Sequence, residues 1–551
     1  MTLRIVVVGG VAGGATAAAK ARRQNEHADI LVLERGGYIS FANCGLPYFI
    51  GGEIKDQADL LLTTAEDFSR KYNLQVALYH DVQAIDRAAK NLRVCDLRTG
   101  EIQTIAYDKL ILSQGAAPLV PPLAGVDQDF VFTLRTIPDM LAIDTYLQHQ
   151  QAQNAVVVGG GYIGLEMAEA FFRRGLDVTV VEAAPHVLPR LEPEFATAFT
   201  EAVERPGFRL LSDHQVTSVG DHEVFLANGE SLAADVVLLS VGVRPENHLA
   251  KAAGLTLGVS GGVQTNGRME SSDPDIYVVG DMAEVRQRQT GAPLRMPLAG
   301  PANRQGRIAG ANAAGGHLTY SGALGTSILR CLETTVGMVG LNSRDADAAH
   351  LNYTVSITEG LHHAGYYPGA ETIKTLLLVE EGTGRLLGAQ VMGAAGVDKR
   401  LDVLATAITA HMTVSTLEEV DLAYAPPFGS PNDPINTASF VVGHELRGDL
   451  QIYDPRNVFA GLQLLDVRNA NELAEQGYLQ GATHIPLSEL RERIHELDPA
   501  QEWVVYCQKG QRGYLATRIL MARGFQVKNM KGGFLQARAN HWPLCSPAES
   551  V

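Results

Sequence analysis

The chain has 551 residues, too many for one hydrophobic core, so roughly three or four domains are expected. Its 46% hydrophobic and 19% charged residues are globular values, and a net charge of −16 without a long like-charge run argues against nucleic acid or an anionic membrane as the main partner. Five scattered cysteines, Cys44, Cys95, Cys331, Cys507 and Cys545, form no CxxC pair and show neither disulfide nor zinc spacing, which fits a reducing, cytoplasmic compartment and no metal. No apolar run approaches the roughly 18 residues that a membrane helix needs. Arg4 with the apolar stretch and Ala-Thr-Ala after it faintly resembles a signal peptide; a nucleotide-binding strand–loop–helix explains the same stretch together with its glycines.

The first element is a β-run, Ile5 to Val8, leading into Gly9, Gly10, Gly13 and Gly14 and then a small-residue helix. The pattern returns at Ala155 to Val158 with Gly159, Gly161 and Gly164. Each copy is followed by a second β-run ending in an acid: Glu34, 20 residues past Gly14, and Glu182, 18 residues past Gly164. The second copy fits the full G-x-G-x-x-G pattern, whose glycines permit the tight turn, the close approach of a pyrophosphate and helix–strand packing. An acid at Glu182 accepts from a ribose 2′-OH and repels a 2′-phosphate, favouring NADH, with NADPH still possible. In the first copy Val11 replaces the middle glycine. Two βαβ units imply an α/β chain with two doubly wound, Rossmann-like domains and two different dinucleotides, FAD and NADH being the economical pair.

Strand-rich returns lie around Leu112, Leu238 and Tyr277. From about Gly322 to Val442 short strands mix with an apolar helix around Leu401 to His411, an α+β pattern. A polar link follows, and from Phe459 a small α/β unit runs to the end.

These motifs resemble the two-dinucleotide flavoprotein disulfide reductases. The resemblance implies that Asp281, in Tyr-Val-Val-Gly-Asp, holds the FAD ribityl chain and that Ala299 also touches FAD. It implies that Tyr162 covers the flavin and Glu166 orients the nicotinamide. Helix packing and a solvated charge are the plainer readings of these two residues.

Ser40-Phe-Ala-Asn43-Cys44-Gly-Leu-Pro-Tyr48 closely follows the Glu34 strand and so returns near the FAD pyrophosphate. With one cysteine no dithiol forms there, and reducing equivalents must pass to a single sulfur carrying a partner: S–S–R, S–SH or S–OH. The motif resembles the single-cysteine branch, comprising coenzyme A disulfide reductases, NADH oxidases and NADH peroxidases. Asn43 is the coenzyme A version, and the first helix lacks the histidine that the oxidases and peroxidases use.

Coenzyme A needs cations for its phosphates. Lys20, Arg22 and Arg23 end the first helix, where cations also complement the helix dipole. The resemblance assigns Arg22 and Arg23 to the phosphates, Lys71 more weakly, and Ser40, Asn43 and Tyr366 to the same ligand. It also implies that Tyr366, Tyr367 and Tyr424 reach an active site from the other subunit of a homodimer, where a phenol can donate to a departing thiolate.

Near the end, Trp503-Val-Val-Tyr-Cys507-Gln-Lys509-Gly-Gln-Arg512 reads as strand, tight loop and helix. Backbone N–H groups, a helix N-terminus and two cations there make an anion cradle around a nucleophilic sulfur. The loop is one residue shorter than a phosphatase loop, which favours sulfur over phosphate. With Leu465 to Arg468, Gly481 to Pro486 and Gly532-Gly533-Phe534 it resembles single-domain rhodaneses.

The whole pattern implies an FAD-binding domain at 1–118 and 242–321, an NADH-binding domain at 119–241, a dimerisation domain at 322–442, a linker at 443–458 and a rhodanese domain at 459–551. The expected activity is NAD(P)H-dependent reduction of coenzyme A disulfide, coenzyme A persulfide or polysulfide through FAD and Cys44, with sulfur transfer at Cys507. The alternatives are an NADH oxidase or peroxidase with an accessory sulfurtransferase domain and a non-enzymatic sulfur sensor.

Overall fold

The computed structural model describes residues 2–457 and 461–545; the expected domain start at Phe459 and the tail to Val551 lie outside the described residues. The chain divides into two units, Met1–Val336 and Gly337–Val551.

The first unit holds two parallel five-stranded sheets. One runs in the order Ile276–Val278, Lys109–Leu112, Arg4–Val8, Asp29–Glu34, Gln75–Leu78. The other runs Arg209–Leu211, Asp177–Val181, Asn154–Val158, Val236–Leu239, Val131–Phe132. The central strands are unbroken apolar runs because both faces are covered, one by helices and the other by a small antiparallel sheet (Val82, Leu92 and Val94 on the first, Val216, Val219, Val224 and Leu226 on the second): Ile5 to Val8 and Ala155 to Val158 are all buried. Small residues let the helices Gly13–Gln24 and Ala299–Ala313 pack almost backbone to backbone. A Cβ on Gly306 would lie 2.2 Å from the Gly13 carbonyl oxygen, and one on Gly310 2.1 Å from that of Ala17.

The second unit begins with the antiparallel strands Tyr353–Leu361, Thr372–Glu380 and Leu386–Gly393. The helix Pro434–Leu446 starts at a capping box between Asp433 and Asn436, with Pro434 in the first turn. It runs past residue 442, burying Val442. A parallel sheet follows in the order Ile452–Tyr453, Gln526–Met530, Glu502–Tyr506, Gln463–Asp466, Thr483–His484. The expected linker at 443–458 is therefore partly structured. Its start completes a helix and its Ile452–Tyr453 pairs with Asn529 and Met530, because the sheet edge needs backbone partners.

Candidate functional site: two nucleotide loops and two cysteine loops

The two glycine loops of the first unit are near copies. Gly9 and Gly159 sit at φ +98° and +108°, and a Cβ would approach the carbonyl oxygens of Ser113 and Ser240 to 2.3 and 2.4 Å. A Cβ on Gly14 would lie 1.8 Å from the Gly9 carbonyl oxygen, and one on Gly164 2.0 Å from that of Gly159. Gly13 is tight against Val279 and Ala302, whereas a Cβ on Gly161 would meet nothing and project into open space. The helices Gly13–Gln24, Tyr162–Arg173 and Ala299–Ala313 all begin without a side-chain cap and without an acid in the first turn. Their first N–H groups thus face outward with a positive helix end behind them, which suits a pyrophosphate.

The acids also brace the loops. Glu34 accepts from the Gly10 and Gly36 amides, both at 2.7 Å, and Glu182 accepts from Gly160 at 2.7 Å and Ala184 at 2.8 Å. Each carboxylate keeps lone pairs for ribose hydroxyls. Asp281 accepts from Arg135 at 2.7 Å, and the Gly280 amide donates to Gln305 at 2.8 Å. Buried polar atoms on Gln114 and Arg295 have no protein partner. Burial lowers the pKa of the Arg295 guanidinium, against the opposing pull of Asp281. Unmet polar atoms beside an uncapped helix end and Asp281 fit a large polar cofactor, and this set would hold FAD. Tyr162 shares a 2.6 Å hydrogen bond with Ser327, and burial raises its phenol pKa.

The Cys44 loop is stitched to the first glycine loop, since the Ser40 amide donates to the Gly10 carbonyl at 2.9 Å. Cys44 lies in a short turn, Asn43–Gly45, with its Sγ 3.9 Å from Asn43 Oδ1. The residue is exposed, yet its neighbours still cut the hydration of the thiol. Its pKa is raised first by that burial, then by Glu166 and Asp281, with Arg135 opposing. Glu166 accepts from the Tyr48 hydroxyl at 3.2 Å. Burial pushes the Glu166 carboxyl up to about 7. Burial and the neighbouring Glu166 push Tyr48 up to about 12. The roles of Tyr48 and Arg135 were not read from sequence, because their partners Glu166 and Asp281 lie 118 and 146 residues away.

One coenzyme A assignment is corrected. Arg22 is 6% exposed and donates to the carbonyls of Tyr72, Asn73, Asn25 and Glu26. Its guanidinium ties the helix end to the next loop and is not open to a phosphate. Arg23 and Lys71 are exposed and flank the Tyr72 ring at 6.0 and 5.4 Å. Lys20 bonds Gln24 at 3.1 Å. Among the other cysteines, Cys331 is fully buried and its thiol pKa is raised by desolvation. Cys95 and Cys545 are half-buried.

In the second unit Tyr366 and Tyr424 are exposed and share a hydrogen bond of 3.1 Å, which raises the Tyr424 phenol pKa. The Tyr367 ring meets that of His363 edge-on at 5.5 Å. Arg400, 1% exposed, pairs with Asp433 at 2.7 Å and donates to the His362 and Gly396 carbonyls. It braces the segments on either side of these tyrosines.

Cys507, 2% exposed, ends the strand Glu502–Tyr506, and its Sγ accepts from the Gly510 amide at 3.1 Å. Gly510, at φ +109°, turns the chain into the helix Gln511–Met521, which has no side-chain cap. Gly533 is required because a Cβ would lie 2.2 Å from the Cys507 carbonyl oxygen. The expected surplus of positive charge is corrected. Arg512 is held by both oxygens of Glu472 at 2.6 and 2.7 Å, and Lys509 pairs with Glu359. Glu472 and Glu359 escape a sequence reading because they lie 40 and 150 residues from their partners.

Two nucleotide loops with a lone cysteine beside the first define a flavin-dependent disulfide reductase scaffold. The chain belongs to the pyridine nucleotide-disulphide oxidoreductase family, which matches residues 3–314; the family's dimerisation domain matches 331–432, and a rhodanese-like domain matches 454–540. Among solved structures it is similar to reduced Bacillus anthracis CoADR-RHD, at 40% identity, 98% coverage of both chains and a TM-score of 0.95. It is also similar to an NAD-dependent persulfide reductase from A. fulgidus, at 34% identity, 96% coverage of this chain, 99% of that one and a TM-score of 0.90. A coenzyme A disulfide reductase of Staphylococcus haemolyticus is 34% identical over 81% of this chain and 99% of its own length. Among the described residues no helix is long and apolar enough to cross a membrane.

Proposed function

We propose that the protein is an NADH-dependent reductase of coenzyme A disulfide, coenzyme A persulfide or polysulfide, with a sulfur-accepting cysteine in its rhodanese-like domain. The observation that carries this reading is Cys44: a single accessible sulfur, tied to the first nucleotide loop, with Glu166 and Asp281 beside it and no second thiol in its motif. FAD bound at the first loop supplies the relay by which two electrons from NADH reach this sulfur.

The chain's own groups do the rest. The Cys44 thiolate attacks the coenzyme A sulfur of CoA–S–SH, forming Cys44–S–S–CoA as HS⁻ leaves. Two electrons then break that bond, returning the Cys44 thiolate and releasing CoA–S⁻, which takes up a proton. Glu166, poised between protonated and charged near neutrality, and the Tyr48 hydroxyl upon it govern the charge facing Cys44. Arg23 and Lys71 offer exposed cations for the coenzyme's phosphates. Tyr366, Tyr367 and Tyr424 are proposed to complete the site from the second copy of a homodimer. In the rhodanese-like domain Cys507 accepts sulfane sulfur as Cys507–S–SH.

Cys44→Ser is the test. It is expected to abolish NADH-dependent sulfide release from coenzyme A persulfide, by more than about a hundredfold, while FAD stays bound. Full turnover in this variant would overturn the proposal. A peroxide or oxygen reaction faster than the persulfide reaction would favour the oxidase reading.

A further inference from the structure

The Cys507 loop was expected to be rich in positive charge, yet Arg512, Lys509 and Arg468 each already have an anion. Arg512 is gripped bidentately by Glu472, Lys509 is paired with Glu359, and Arg468, fully buried, is paired with Asp466 at 2.6 Å. Glu472 is fixed in place, since the same carboxylate accepts from the Asn469 amide at 3.0 Å and caps the helix Ala470–Gln476. Gln508, the first residue after the cysteine, is neutral and bonds Gln476 at 2.7 Å. What acts on the sulfur is the Gly510 amide, the uncapped end of the helix Gln511–Met521 and the Arg512 guanidinium, whose charge Glu472 already shares. That field matches one negative charge, the Cys507 thiolate itself. A compact dianion would arrive where two carboxylates offset the attraction of Arg512 and Lys509.

Resting on the reading of Cys507 as a sulfur acceptor, we infer that Glu472 and Glu359 are specificity-determining residues that disfavour small dianionic sulfur donors such as thiosulfate and select low-molecular-weight persulfides. A persulfide brings at most one charge at its reacting end. The transfer balances without a further reagent: the Cys507 thiolate attacks the outer sulfur of R–S–SH, the S–S bond of the persulfide breaks, R–S⁻ leaves with the electron pair, and Cys507–S–SH forms. With thiosulfate the leaving group would be sulfite, already doubly charged as it passes the two carboxylates.

The test uses the full-length, FAD-loaded chain, with peptide-resolved mass spectrometry of Cys507 so that Cys44 does not interfere. Single-turnover loading is followed with glutathione persulfide and with thiosulfate. The wild type is expected to load from the persulfide at least about tenfold faster. Glu472→Gln keeps the helix cap and removes one charge; it is expected to raise the thiosulfate rate about tenfold and the persulfide rate by less than about threefold, the difference shrinking as salt is added. Glu359→Gln, in a different part of the chain, is expected to act in the same direction and guards against a folding defect in the first variant. As a second readout, the ratio of Cys507 alkylation by iodoacetate to that by iodoacetamide is expected to rise in both variants. A ratio that moves in neither variant, or thiosulfate as the faster donor to the wild type, overturns the inference while leaving Cys507 a sulfur acceptor. Loading by neither donor in any variant overturns the sulfur-acceptor reading and this inference with it.

Discussion

Glu166 offers a prediction with both a sign and a size. Burial raises its carboxyl from 4.5 to about 7, and Glu169 adds to the effect. Each tenfold change in proton affinity corresponds to about 1.4 kcal/mol, so ionising this group in the folded chain costs about 3 kcal/mol, reduced to about 2 by solvent at its partly open edge. Between pH 4.5 and 7 the folded carboxyl holds a proton that the unfolded chain has released, so this group's contribution to stability falls as pH rises through that window and levels off above it. Glu166→Gln removes the titration. The variant is expected to gain on the wild type from pH 5 to pH 8 by about 2 kcal/mol, read as a shift in the urea midpoint of the FAD-loaded chain at the two pH values. The ionisation near 7 should also vanish from the pH profile of NADH-driven reduction. The Tyr48 hydrogen bond holds the Glu166 pKa down, so Tyr48→Phe should move that ionisation upward instead. A midpoint difference between Glu166→Gln and wild type that is the same at pH 5 and pH 8 would refute the reasoning.

Two further perturbations separate binding from folding. Gly161→Ala places a methyl in open space and should leave the fold intact while weakening NADH binding severalfold, read as KM; Gly164→Ala, aimed at a carbonyl 2.0 Å away, should disrupt the domain and lower soluble yield. Asp433→Leu strands the buried Arg400 guanidinium and should cost about 3–5 kcal/mol in the unfolding of the second unit, measured by thermal denaturation.

The nucleotide loops, the Cys44 motif and the Cys507 loop were legible in sequence because each is local. A strand, a turn that only glycine can make and a helix follow one another within a few residues, so the physical constraint leaves a compact pattern. Arg22 misled because its charge was visible and its surroundings were not: cations at a helix end serve a phosphate, a dipole or neighbouring carbonyls equally well on paper. The stretch at 443–458 read as a link because its polar composition hides two backbone-paired residues at a sheet edge.

Spacing and period alone determined that this chain carries two dinucleotide folds and two separate cysteine loops, since backbone geometry and helix polarity act over neighbouring residues. Only the tertiary structure decided the charge state around those cysteines. Tyr48 meets Glu166 across 118 residues, and Glu472 and Glu359 meet their cations across 40 and 150. Coulomb and desolvation energies depend on distance in space, and a folded chain sets that distance independently of separation in sequence.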